Sequence, residues 1–236
     1  MQFQKVQLFL SIQRIDRYLL ATGNNKVKAV KLYKANLKIC QAFHPLLGIL
    51  EVTLRNCLNA KLTQHFNDSE WIINEKGGFM SDPSLTHIDR RTQQRVTNRF
   101  LKSSIEKSEN TLRRTNIPIT SGKVIADQTF GFWTDLFEVH HYRLLLGRPI
   151  QIFNHLPTRH GRSEVVDRLN KIRKFRNRIN HNEPICFGGN NINFNYVEEV
   201  YEAIIQIINW IDPELSVWIK NIDSVSTKIA NAKTLI

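Results

Sequence analysis

The sequence is poor in the residues that staple or turn a chain. It holds 3 cysteines, Cys40, Cys57 and Cys186, with no Cys-x-x-Cys spacing. An odd, scattered set excludes a disulfide framework or a zinc ribbon as the organising element and reads as reduced structural thiols. Glycine (10) and proline (7) are scarce, which argues against a turn-rich β-sandwich. No run of about 18 apolar residues occurs, so no membrane-spanning helix is expected. The opening MQFQKVQLFLSIQRIDRYLL breaks its apolar positions with Gln, Lys, Arg and Asp, and no small-residue cleavage site follows. It therefore does not read as a secretory signal, and a cytoplasmic location is expected.

Acidic residues are also short. There are 21 Asp+Glu against 33 Lys+Arg, a formal net charge of +12. The imbalance is uneven. Residues 1–66 carry ten basic and two acidic side chains, and residues 111–182 carry thirteen and five. Residues 67–110 balance at seven each, and residues 183–236 are acidic, three against seven. Two positive blocks attract polyanions and speed their encounter. An anionic membrane is the weaker rival, because no basic amphipathic helix stands alone at a terminus.

What is present is helical periodicity. Val6, Phe9, Leu10, Ile12, Leu19 and Leu20 recur at three- and four-residue steps over 3–21, ahead of the stop signal Gly23-Asn24-Asn25. A helix is expected over 26–43, and another over 45–66 opened by Pro45 and carrying Leu46, Leu47, Ile49, Leu50, Leu54, Leu58 and Leu62. Residues 67–86 read as a loop and 87–107 as a strongly charged helix. FGFWTDLF (130–137) reads as a short core helix, with another short helix over 148–153. Residues 161–180 place Val165, Leu169, Ile172, Phe175 and Ile179 inward. A loop (183–191), an acidic amphipathic helix (193–210) and one or two short helices (213–233) complete the chain. The expected fold class is all-α, a single domain over 1–236 with its core at about 26–210 and C-terminal helices over 211–236.

The chemistry-bearing segment is RKFRNRINHNEP. Between Arg159 and Arg178 lie eight basic residues opposed only by Glu164 and Asp167. Cations at a helix C-terminus are favoured by the helix dipole, which alone accounts for some of them. Arg176 lies about 40° from Ile172 around the helix, beside the apolar stripe, where a guanidinium must be paired or held at an interface. Arg176 and His181 diverge by about 140° on a straight helix, so they converge only if the helix ends near Asn180. Asn180, Asn182 and Pro184 favour that end. Arginine, amide and histidine on a basic surface suit RNA cleavage. The 2′-hydroxyl is a built-in nucleophile, the imidazole moves its proton, and the guanidinium stabilises phosphorane charge. Such a site needs no cofactor or metal. Spacing alone carries little, since about half an Arg-x4-His match arises by chance in this composition. Arg148-x6-His155 is a looser second candidate. His44, His65, His87, His140, His141 and His160 show no partner pattern.

The block KFRNRINHNEPI (174–185) resembles the Arg-Asn-x-x-x-His motif of HEPN ribonucleases, and LLGILEVTLRNCL (46–58) with FGFWTDLF resembles the Abi-like (abortive infection) branch of that family. The resemblance spans about residues 43–185. It implies a HEPN-like helical bundle with additional helices, acting as a homodimer. It also implies a metal-independent endoribonuclease site composed across the dimer cleft, with Arg176, Asn177 and His181 as its catalytic set. Glu51, Arg55 and Asn56 would support the cleft, although Glu51 and Arg55, one turn apart, equally suit an ordinary intrahelical pair. Arg173, Lys174 and Arg178 would contact RNA, with a structural role open for Arg178. A toxin of this kind implies a neutralising antitoxin, protein or RNA. Two other readings stay open: a non-catalytic RNA-binding module of a phage-defence or toxin–antitoxin system, and a helical protein whose basic faces meet an acidic partner.

Overall fold

The computed structural model describes residues 2–89 and 91–235 and is all-α in class. In chain order the helices are α1 (Phe3–Leu10), α2 (Ile12–Ala21), α3 (Lys26–Phe66), α4 (Trp71–Asn74), α5 (Phe100–Arg114), α6 (Ser121–Asp127), α7 (Phe130–Asp135), α8 (Val139–Leu144), α9 (Arg162–Asn180), α10 (Asn195–Ile211), α11 (Pro213–Trp218) and α12 (Val225–Lys233). Two short antiparallel hairpins punctuate them: β1 (Thr86–Ile88) with β2 (Arg95–Thr97), and β3 (Phe187–Gly188) with β4 (Asn191–Ile192).

Three expectations need correction. The two helices on either side of Pro45 are one helix, α3, with Pro45 inside it. Proline removes one amide donor and crowds the carbonyl four residues back. Here Pro45 and Gln41 are both exposed, so water can serve the freed carbonyl, while Ala42, Phe43, Leu46 and Leu47 bury the opposite side. Burial on both sides of the proline outweighs the local loss. The apolar stripe over 3–21 is likewise interrupted, at Ser11, whose φ of 67° ends α1. Its side chain then caps α2 by accepting from the Arg14 amide.

The charged helix expected over 87–107 is instead a hairpin followed by α5. Thr86, His87 and Ile88 pair with Thr97, Val96 and Arg95. The turn is made by Asp89, whose carboxylate accepts from the Arg91 and Thr92 amides, and by Gln93 at φ 55°. An Asx-type turn between β-branched residues defeats a weak helical stripe.

The chain sorts into two units. The first comprises Met1–Leu50, Lys171–Asn209 and Pro213–Ile236. Its core includes Ile15, Tyr18, Leu32, Ile39, Phe43, Leu46, Phe175, Ile179, Val197 and Ile204. Phe43 meets Phe175 edge-on with ring centroids 4.6 Å apart, and Tyr18 meets Phe187 edge-on at 5.0 Å. The second comprises Glu51–Asn170 and Trp210–Asp212. There the aromatic block is core as expected: Phe130, Phe132, Trp133, Leu136 and Phe137 are all buried. They share that core with Leu54, Leu58, Leu62, Trp71 and Ile105.

Among the described residues only α3 is long and apolar enough, by length and composition, to cross a membrane. Most of its apolar positions from Leu32 to Leu62 are buried within the protein, with Leu37 and Val52 exposed.

Candidate functional site at the end of α9

The site is built on the last turns of α9, within the first unit. Ile172, Phe175 and Ile179 are buried and anchor one side of the helix. The opposite side carries Arg173, Lys174, Asn177, Asn180 and His181, of which Lys174, Asn177, Asn180 and His181 are exposed and Arg173 is half-buried. Positions 173, 177 and 181 follow one another at four-residue steps, so they line one strip of the surface.

The helix stops where the sequence says it should. The His181 amide still donates to Asn177 O at 3.0 Å. Then Asn182 takes φ 54°, its amide donates to Ile179 O, and the Glu183 amide donates to Arg178 O. That pair of bonds is a Schellman ending, with asparagine in the left-handed position that glycine usually fills. His181 is thus the C-cap residue, held on the last turn one step above Asn177.

Four side chains fix the segment that follows. The Asn36 carboxamide is buried on α3 and accepts from the Ile185 amide at 2.9 Å, and its amino group approaches Cys40 Sγ at 3.8 Å. Arg14 on α2 donates to Asn182 O at 2.8 Å. Arg17 donates to Gly189 O at 2.8 Å and lies over the Phe187 ring. Arg178 donates to Pro184 O, sits 3.3 Å from the Glu183 carboxylate and lies over Tyr196. The guanidinium of Arg178 is therefore engaged in holding the loop. Cys40 and Cys186, both free and buried, have their thiols pushed up by burial to about 11 and about 12, so they stay protonated and inert at neutral pH.

Arg176 is half-buried beside the apolar stripe. Because helical bonding persists through His181, Arg176 and His181 leave the axis about 140° apart, and the two that share a face are Asn177 and His181. One chain therefore presents the amide and the imidazole together and the arginine to another side.

Glu51, Arg55 and Asn56 lie on α3 in the second unit; Glu51 and Arg55 are half-buried and Asn56 is exposed. Arg55 Nε is buried with no hydrogen-bond partner among the described residues.

Sequence reasoning gave the remaining histidines no partners, and the second unit supplies several. His141 is buried, with Nδ1 2.9 Å from Asp135 Oδ2, and His87 stacks on His140 at 4.4 Å between centroids. His65 shares a pocket with Arg148, whereas His155 does not line it. Among the described residues no three His, Cys, Asp or Glu side chains are grouped to hold a metal ion. Comparison with protein-family models, with curated proteins and with solved structures finds no match to this chain.

Proposed function

We propose that this chain is a cytoplasmic endoribonuclease of the Abi-like HEPN type, whose site at the end of α9 is completed by a second copy of the chain. The observation that carries the reading is the exposed Asn177–His181 pair on a capped, basic helix end, with half-buried Arg176 turned away from it. One chain offers half of an arginine–histidine site, and a two-fold partner can supply the other half.

In this site one His181 imidazole accepts the 2′-hydroxyl proton, and the freed oxygen attacks the adjacent phosphorus. The bond from phosphorus to the 5′-oxygen breaks, and the leaving oxygen takes up the proton that the imidazole accepted. The Arg176 guanidinium neutralises charge on the phosphorane-like transition state. Asn177 holds a phosphate oxygen or orients the ring. Arg173 and Lys174 attract the strand electrostatically. The products are a 2′,3′-cyclic phosphate and a 5′-hydroxyl.

The test is incubation of the purified protein with RNA in excess chelator, followed by end-group analysis. The wild type cleaves and leaves 2′,3′-cyclic ends, and His181→Ala lowers the rate by a hundredfold or more, within the range removed with a general acid–base group. Robust cleavage by His181→Ala overturns the assignment. RNA that is bound but left intact by wild type and variant alike identifies a binding module instead.

A further inference from the structure

A cationic recess is built from residues of the second unit, none of which is assigned to the site above. Lys61, Gln64 and His65 occupy positions i, i+3 and i+4 on α3, so they project from one face of the helix. Opposite them a 3-10 turn over Arg148–Ile152 presents Arg148 and Gln151, which eclipse each other at three residues per turn. Gly147, at φ 74°, and the buried Pro149 fix where that turn begins. These five side chains line a cavity of about 390 Å³.

No carboxylate lines the recess. Among the described residues Arg148 donates only to the Gln151 side-chain oxygen, at 3.5 Å, and Lys61 has no ion pair. The His65 pKa is lowered, first by burial and then by the positive charge of Arg148, so the imidazole is largely neutral at pH 7 and can donate or accept a hydrogen bond.

A second cavity of about 410 Å³ lies beside the recess and shares Lys61, Gln64 and Gln151 as lining. Its further lining is mainly apolar, with Cys57, Ala60, Ile152 and Ile211, and ends in polar Asn154 and Asp212. Each volume falls within the range of small-molecule sites, and side by side they offer a cationic end and a mainly apolar end with the shared amides of Gln64 and Gln151 between them.

We propose that this groove binds a nucleoside phosphate, with the phosphate among Lys61, His65 and Arg148, the sugar beside Gln64 and Gln151, and the base over Cys57, Ala60 and Ile152. The ligand is either a free nucleotide or the phosphorylated terminal nucleotide of an RNA strand, which present the same chemistry. The site stands apart from the reading of α9, and neither depends on the other.

Isothermal titration of the full chain tests it with five probes: adenosine monophosphate, uridine monophosphate, inorganic phosphate, and a trinucleotide RNA with and without a 5′-phosphate. A mononucleotide binds with sub-millimolar Kd and at least fivefold more tightly than inorganic phosphate. Arg148→Ala weakens that binding tenfold or more, and Lys61→Ala severalfold. Ala60→Glu, which places charge in the apolar end from an exposed position, weakens the nucleotide but not inorganic phosphate. Circular dichroism and thermal melting verify that each variant is folded; Arg148 is exposed and its replacement leaves the core untouched. Preference for the free nucleotide over 5′-phosphorylated RNA assigns the source to a small molecule, and the reverse preference assigns it to an RNA end. No binding of either mononucleotide at millimolar concentration, unchanged affinity in Arg148→Ala, or equal affinity for nucleotide and inorganic phosphate overturns the proposal. The readout here is binding of a mononucleotide and that of the nuclease reading is strand cleavage, so failure of one is distinguishable from failure of the other.

Discussion

Asn182 shows how one side chain governs the proposed site. At φ 54° it occupies the left-handed region, which asparagine tolerates and β-branched residues do not. Asn182→Val is expected to destabilise the protein by about 1–2 kcal/mol in urea unfolding, while Asn182→Gly is near neutral. A full-strength Asn182→Val protein would mean that the Schellman ending contributes nothing. Buried Glu109 teaches a different lesson. Its carboxylate pairs with Lys76 and lies 3.7 Å from Arg113, and its side chain is 5% exposed. Lys76→Met leaves that charge poorly compensated and should cost about 3 kcal/mol, the low end for breaking a buried pair. Adding Glu109→Gln should recover part of the loss in a double-mutant cycle, and simple additivity would refute the pairing. Neither Lys76 nor Glu109 stands out in the sequence. Glu109 reads as one more charge on a charged helix, and its burial depends on a partner 33 positions away.

At the scale of elements, α3 carries the clearest test. Pro45 sits exposed in the middle of a 41-residue helix. Pro45→Ala restores one amide donor and a better helix former, so unfolding free energy should rise by about 1–3 kcal/mol, less the loss of proline's constraint on the unfolded chain. A fall in stability would show that the proline's local geometry is needed for packing. The same helix shows why local rules misjudged the chain. Proline is a sound stop signal, but the apolar stripes before and after it join in phase, and burial decided. The hairpin over 86–97 failed for the converse reason: its turn rests on Asp89 side-chain bonds and its strands are three residues long, too short for alternation to stand out. Where periodicity was sustained the reading held. The inward set Val165, Leu169, Ile172, Phe175 and Ile179 is buried throughout, and α9 ends at Asn180 as the Asn and Pro signals indicated. The polar ending was therefore legible in the sequence. Its supports were not, because Asn36, Arg14 and Arg17 reach it from helices far back in the chain. The recess of Lys61, His65 and Arg148 was hidden in the same way, since its two halves lie more than eighty residues apart.

For the molecule as a whole, the net charge of +12 favours encounter with polyanions, and the RNA affinity that the proposed function calls for is expected to weaken steeply with added salt. Charge does not supply chemistry, however. The central claim of the proposed function rests on the geometry of α9: the imidazole and amide of one chain face one way and the arginine another, and in that proposal a second chain completes the site. The most direct measurement is complementation. Arg176→Ala and His181→Ala chains, each inactive alone, are co-expressed with different tags and the mixed dimer is purified through both. That heterodimer keeps one Arg176 and one His181 on opposite copies, and it is predicted to cleave RNA in chelator at least tenfold faster than either parent dimer. A mixed dimer no more active than its parents, or full activity from a wild-type chain that remains monomeric at assay concentration, would contradict the composite site.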